Sequence, residues 1–238
     1  MKKIVDNYKF IGGTLNKKEL PQGDSVSPKE MIFHLFEKNS ESKKILDIGF
    51  GTGRLGEIIK NNPETNHWEI DGIDGWDINC FNQDLIKKSI YRNIWCGLAQ
   101  DISNEQYSQY DVVCLLDVIE HLDIETARWL LRSLFTYIRK DAFIFVSTPL
   151  WFYPQDQIQK DDLEEHLIGV PASSMMALDP LMYSINQPLV GGFIYQKSSI
   201  ELIEFFHPTT QKSFSYEQGM RVARSVNLQL NPGVLYKR

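Results

Sequence analysis

At 238 residues, with 42% hydrophobic and 24% charged side chains, the chain has ordinary globular composition and is long enough to bury a sizeable core. Its formal net charge of −6 argues against wrapping duplex nucleic acid, which needs a basic footprint. Cys80, Cys96 and Cys114 are odd in number and widely spaced, which suggests neither a disulfide framework nor a zinc site and makes a reducing cytoplasm the expected home.

Residues 1–26 are polar and glycine-punctuated and read as an arm, with no apolar stretch of signal-peptide type after Met1-Lys2-Lys3. No run approaches the length of a membrane span. Ser27-Pro28-Lys29-Glu30 combines a capping box with Pro at the first helical position, and Met31, Ile32, Leu35 and Phe36 supply the apolar stripe of a helix. Ile45, Leu46 and Ile48 then make a short strand. Gly49, Gly51 and Gly53 follow at every second position, and Leu55, Ile58 and Ile59 fall at helical spacing. A strand, glycine turn and helix in that order point free N–H groups at whatever lies against the loop, so the element is a ready nucleotide-type site.

Further along, residues 68–73 form a second strand closing on Asp74-Gly75, Phe81, Leu85 and Ile86 a helix, and residues 93–96 a third strand. Tyr110-Asp111-Val112-Val113-Cys114-Leu115-Leu116-Asp117 is the clearest strand, apolar between acids. Ile124, Ala127, Leu130, Leu131, Leu134 and Ile138 predict a helix after it, and Ala142-Phe143-Ile144-Phe145-Val146 a fifth strand ended at Thr148-Pro149. This alternation predicts one α/β domain with a Rossmann-like, doubly wound, mostly parallel sheet and helices on both faces. In such sheets ligands bind at the carboxyl ends of the strands, where Asp47, Asp74, Asp101 and Asp117 fall.

Two readings of the glycines compete. Gly51-Thr52-Gly53-Arg54-Leu55-Gly56 matches G-x-G-x-x-G, with Asp74 at the distance of a ribose acid, so a nicotinamide-dependent oxidoreductase is one alternative. The register Asp47-x-Gly49-x-Gly51-x-Gly53 covers the whole stretch and resembles the first motif of the class I S-adenosylmethionine-dependent methyltransferases. Ile70-Asp71-Gly72-Ile73-Asp74 and Ala99-Gln100-Asp101-Ile102 resemble that family's next two motifs. Leu115-Leu116-Asp117-Val118-Ile119-Glu120-His121-Leu122 resembles its D-V-I-E-H-L run, found in members acting on small molecules and lipids.

The resemblance covers residues 44–149 and implies S-adenosyl-L-methionine as cofactor, with a small-molecule acceptor, a sugar or lipid precursor, methylated on O or N. It assigns to the cofactor Asp47, Gly49, Phe50, Gly51 and Gly53 in the loop, Asp74 with Gly75 and Trp76 at the ribose, Asp101 with Ile102 at the adenine, and Asp117 with Val118. His121 is the candidate base, against the competing reading of a histidine hydrogen-bonded at a helix start. No metal is expected, because Ser147-Thr148-Pro149 ends the fifth strand where metal-assisted members place a ligand. A member of the fold that binds cofactor without catalysis is the remaining alternative.

The expected organisation is a single domain: residues 1–43 arm and helix, 44–149 cofactor-binding core, 150–197 variable insertion or lid, and 198–238 C-terminal helices and edge strands. In the lid, Trp151, Phe152, Tyr153, Met175 and Met176 offer adaptable apolar surface for the acceptor. Glu164, Glu165 and His166 form a second polar cluster there. Helices are expected over residues 199–206 and 216–226, and Asn231-Pro232-Gly233 is expected to turn an antiparallel edge hairpin between residues 228–230 and 234–236. Oligomeric state is not legible.

Overall fold

The computed structural model describes residues 9–10, 27–37, 40–157, 163–186, 189–210, 216–225 and 235–238. In chain order its strands are β1 (Lys9–Phe10), β2 (Lys44–Ile48), β3 (Glu69–Asp74), β4 (Asn93–Cys96), β5 (Val112–Leu116), β6 (Phe143–Pro149), β7 (Ile168–Gly169), β8 (Met182–Asn186), β9 (Val190–Gln196), β10 (Thr209–Thr210) and β11 (Leu235–Lys237). Among the described residues, nine strands share one sheet in the order β1-β11-β8-β9-β6-β5-β2-β3-β4, and β7 and β10 form a separate pair. The β6, β5, β2, β3 and β4 strands run parallel; β9, β8, β11 and β1 continue the sheet antiparallel.

Alternation along the central strands explains why both faces are covered. Ile45, Val112, Cys114 and Phe145 point into one apolar layer with Met31, Leu55 and Ile59. Leu46, Ile48, Val113, Leu115, Ile144 and Val146 point into the other, with Leu130, Leu131 and Leu134. On the first face lies α1 (Arg54–Asn61), on the second the 14-residue α5 (Ile124–Tyr137), whose N-cap Asp123 accepts from the N–H groups of Glu125 and Thr126 at 3.0 Å each. Between them in sequence come the short helices α2 (Asp77–Cys80), α3 (Gln83–Lys87) and α4 (Asn104–Tyr107).

The chain winds β2, β3, β4 in one direction and then crosses back to β5 and β6, so the switch point lies between β2 and β5. Crevices at such points open at the carboxyl ends of the strands, which here carry Gly49 and Asp117.

Several expectations are corrected. The stripe after Ser27-Pro28 forms a 3-10 turn (Lys29–His34), not a capped α-helix: Pro28 takes the non-helical φ −80°, ψ 63°, and Ser27 Oγ accepts from Lys29 Nζ at 2.7 Å. The single helix over Phe81, Leu85 and Ile86 is two helices, α2 and α3, broken at Asn82, which caps α3. Only Leu85 of the three apolar residues is buried. The helix over residues 199–206 is 3-10 in geometry, at Lys197–Phe205.

The antiparallel edge hairpin does exist, but its hairpin is β8–β9, drawn from the segment expected to be an insertion. Residues 228–230 and the turn at 231–233 lie outside the described residues. Leu235–Lys237 pairs between β8 and β1. Two further helices complete the structure, α6 (Ala172–Ala177) and α7 (Tyr216–Ser225). Trp151 packs against α7, where a Cβ on Gly219 would lie 2.4 Å from its ring.

Candidate active site

A cavity of about 700 Å³ opens at the switch point, a volume well within the range of ligand sites. Gly49, Gly51 and Gly53 all have positive φ, which L side chains rarely adopt. Their surroundings differ. A Cβ on Gly49 would lie 2.5 Å from Val118 Cγ2, and one on Gly53 2.5 Å from Leu85 Cδ2, so those two glycines allow the loop to pack. A Cβ on Gly51 would meet nothing within 4 Å, because it faces the open cavity. Gly53, expected at the cofactor, is absent from the lining; it packs against Leu85 and stands at the N-cap of α1.

Three of the four rim acids line the cavity, each held differently. Asp47, 2% exposed, accepts from Tyr91 Oη at 2.8 Å. Burial pushes its carboxyl up to about 7 against the pull of Tyr91 and Lys29, with Asp74 adding a smaller upward push. Asp74 Oδ2 accepts from Gly51 N at 2.8 Å, and its Oδ1 from Trp76 N at 2.9 Å and Asn79 Nδ2 at 3.2 Å. The acid therefore ties the glycine loop to the end of β3. Asp117 has φ 57°, and its Oδ1 accepts from Ser147 Oγ at 3.1 Å. A non-glycine residue in that region is strained by roughly 1–3 kcal/mol, a cost that is met more often at functional sites than elsewhere.

Asp101 is the exception. In the 3-10 turn Ala99–Asp101 its Oδ2 turns back to accept from Leu98 N at 2.8 Å. Asp101 and Ile102 line a separate hollow of about 200 Å³, while Leu98, Ala99 and Gln100 face the main cavity. Asp101 and Ile102, expected beside the cofactor, thus lie outside the main cavity: capping its own turn directs the Asp101 carboxylate away.

Opposite the glycine loop, the 3-10 turn Ile119–His121 carries Glu120, 2% exposed, and the half-buried His121. Residues 164–167 are laid across this turn: Leu167 N donates to Glu120 O at 2.8 Å, and His121 Nδ1 lies 3.0 Å from Glu165 O. His166, 4% exposed, follows with Nδ1 2.7 Å from Tyr153 O and its ring centroid 4.7 Å from that of His121. Burial pushes Glu120 well above the carboxylate range, with Asp117 and Glu164 adding to it, and pulls His166 down to about 4, with His121 adding to that.

The methyltransferase domain profile matches residues 28–178, more than half of the chain. The chain belongs to the methyltransferase domain family. This methyltransferase is 23% identical over 195 residues to the ubiquinone biosynthesis O-methyltransferases of Pseudomonas savastanoi pv. phaseolicola and Pseudomonas syringae pv. syringae, spanning 80% of this chain and 69% of each relative. Haemonchus contortus phosphoethanolamine N-methyltransferase 1, solved with phosphoethanolamine and S-adenosylhomocysteine, superposes with a TM-score of 0.52 at 12% identity. That alignment covers 75% of this chain and 45% of the other, so the chain spans less than half of that protein, and the likeness shows the fold. No described helix is long and apolar enough to cross a membrane.

The expected lid is corrected in extent. Leu150, Val170, Met175 and Leu178 belong to the core on the α5 side, Phe152 is buried, and Tyr195 Oη donates to Met175 O at 2.9 Å. These side chains fill the core and are not available to an acceptor. What faces the methyltransferase cavity from this region is Tyr153, Gln155, Leu163, Glu164, His166, Leu167 and Val190. Sequence reading had not joined His166 to Glu120-His121, nor placed Lys29 in the cavity wall. The repeated Glu-His pairs at 120–121 and 165–166 were the only local signal for the first, and nothing local marked the second.

Proposed function

We propose that this methyltransferase transfers the methyl group of S-adenosylmethionine to an oxygen of a small-molecule acceptor in the cytoplasm. The observation that carries this reading is the two-sided cavity. One wall is the glycine loop with Asp47, Asp74 and Gly51; the other is the apolar and imidazole surface of Leu122, His121, Tyr153, Leu163 and Leu167. Asp47 meets the ammonium of the methionyl group, for which a buried acid is suited and a pyrophosphate is not. Asp74, with Gly75 and Trp76 beside it, takes a ribose hydroxyl on the remaining lone pair of Oδ2. Gly49, Phe50, Gly51, Asp117 and Val118 form the floor, and Leu98 to Gln100 border the base in place of Asp101.

Oxygen is chosen as the acceptor atom because the curated relatives are O-methyltransferases. In the reaction the S–CH3 bond breaks as the O–CH3 bond forms, the thioether leaves neutral, and the acceptor's proton departs at the His121 side of the cavity. Orientation and exclusion of water supply most of the acceleration, about 7–11 kcal/mol in favourable cases. The free cysteines Cys80, Cys96 and Cys114 accord with a reducing compartment.

The test is incubation with S-adenosylmethionine and a panel of hydroxylated aromatic, sugar and lipid-precursor acceptors. The expected result is a methylated product with S-adenosylhomocysteine in equal amount. Tight binding of S-adenosylhomocysteine with no product from any of them would favour the non-catalytic reading instead.

A further inference from the structure

Glu120 is the most anomalous side chain in the cavity wall. It is 2% exposed, and neither carboxylate oxygen meets hydrogen-bond geometry with a partner among the described residues; the Thr148 side chain is close enough only to offset part of the effect of burial. A buried carboxyl, ionised or not, is costly in that state, and orphans of this kind in native proteins call for a missing water or ion. Asp117 and Glu164 are near enough to act on it electrostatically, which makes the neighbourhood attractive to a cation and hostile to another anion.

The two imidazoles beside it are oriented as ligands are. A backbone carbonyl can only accept, so Nδ1 of His166 carries its hydrogen toward Tyr153 O, and Nδ1 of His121 carries one toward Glu165 O. In a neutral ring that arrangement puts the lone pair on Nε2. Metal-ligating histidines are commonly held this way, with the second nitrogen donating to a carbonyl or carboxylate that sets the tautomer and ring angle. One carboxylate oxygen of Glu120 and one ring nitrogen each of His121 and His166 lie within 4.8 Å of one another. An ion about 2.0–2.2 Å from each would draw them somewhat closer, a side-chain adjustment only.

We propose that Glu120, His121 and His166 bind a divalent transition-metal ion of the zinc, manganese or ferrous type at the acceptor end of the cavity. Two imidazoles and one carboxylate select borderline transition metals over magnesium and calcium, which take oxygen ligands. Three protein ligands leave coordination positions open, as in sites where a metal meets substrate. His121 is then a ligand in place of a free base. This adds a metal to the reading above without depending on it, since the ion can be bound whether or not methyl transfer occurs. The expectation of no metal rests on Ser147-Thr148-Pro149 and on five histidines scattered along the chain, two of which the tertiary structure brings together with Glu120.

Tag-free protein, stripped with chelator and dialysed, is titrated calorimetrically with zinc chloride and separately with magnesium chloride, and S-adenosylhomocysteine binding is measured on the same preparation. One equivalent of zinc should bind and magnesium should not compete. Glu120→Gln and His166→Ala should each weaken zinc binding at least about a hundredfold while cofactor affinity stays within a few fold. Cobalt(II) added to the unmutated protein keeps the test independent of whether the variants fold, and should give the strong visible bands of a four- or five-coordinate ion. No stoichiometric zinc in protein that binds S-adenosylhomocysteine overturns the proposal and leaves the methyltransferase reading untouched. Undiminished zinc binding in both variants, or the weak spectrum of a six-coordinate aqueous cobalt ion, overturns it too.

Discussion

Tyr91 donates its hydroxyl hydrogen to Asp47 Oδ2 at 2.8 Å, and both groups are buried, beneath the glycine loop. The pairing joins the end of β2 to a residue just ahead of β4, and it moderates a carboxyl that burial pushes up to about 7. In the free protein Asp47 therefore titrates near neutrality. Because the folded value lies above the ordinary 3.8, its contribution to stability is present at low pH and lost as pH rises through about 7.

Cofactor binding should have the opposite pH dependence. The methionyl ammonium favours ionised Asp47, so below about pH 7 binding must first remove a proton, and affinity for S-adenosylhomocysteine should fall by up to about tenfold per pH unit. Tyr91→Phe withdraws a hydrogen bond that favours the charged form and should move this profile to higher pH. Calorimetry across pH 5.5 to 8 reads both, and a flat wild-type profile would separate Asp47 from the ammonium.

Asp74→Ala should cost at least tenfold in cofactor affinity, since a charge-assisted hydrogen bond to a ribose hydroxyl is worth roughly 1.5–3 kcal/mol. The same change frees Gly51 N and Trp76 N, which Asp74 now accepts from, so a modest drop in melting temperature is expected alongside. Unaltered affinity for S-adenosylhomocysteine would remove Asp74 from the ribose site.

Gly51 and Gly49 separate ligand space from packing space. A Cβ at Gly51 enters the cavity, so Gly51→Val should abolish cofactor binding while the protein still folds, apart from the strain of φ 55°. A Cβ at Gly49 collides with Val118 Cγ2, so Gly49→Val should instead lower stability, by about 1–3 kcal/mol from overpacking alone. Parallel melting curves and binding isotherms distinguish the two. Wild-type affinity in Gly51→Val would show that the loop is not the site.

Hydrogen exchange should divide the segment once expected to be a lid. β8 is paired with β9 and β11, and β9 with β6, so both strands should exchange at core rates with or without ligand. Residues 163–167 hang on fewer bonds, among them Leu167 N to Glu120 O and His166 N to Gln155 O, and should gain protection when S-adenosylhomocysteine and acceptor are both present. Core-level protection there without ligand would make those residues fixed wall.

What the sequence determined by itself was local. Apolar runs bounded by acids and glycines marked β2, β3, β4, β5 and β6 close to their observed ends, and the spacing from Ile124 onward marked α5, because burial on two faces or on one helix stripe imposes its period on covalent neighbours. The glycine register after Asp47 marked the loop for the same reason: backbone sterics act residue by residue. Tertiary structure alone decided the rest. Asp101 was expected at the rim from its position after β4, but a turn of three residues directs its carboxylate to Leu98 N. The β8–β9 hairpin looked like an insertion because Pro180 and Pro188 and the absence of clear alternation hid strands whose partners are β6 and β11. The meeting of His166 with Glu120 and His121 depends on residues 164–167 folding back over a 3-10 turn 44 residues earlier, as the His121 contact to Glu165 O records. Contacts between such distant segments follow from which surfaces bury each other, and no pattern among neighbours in the chain encodes that.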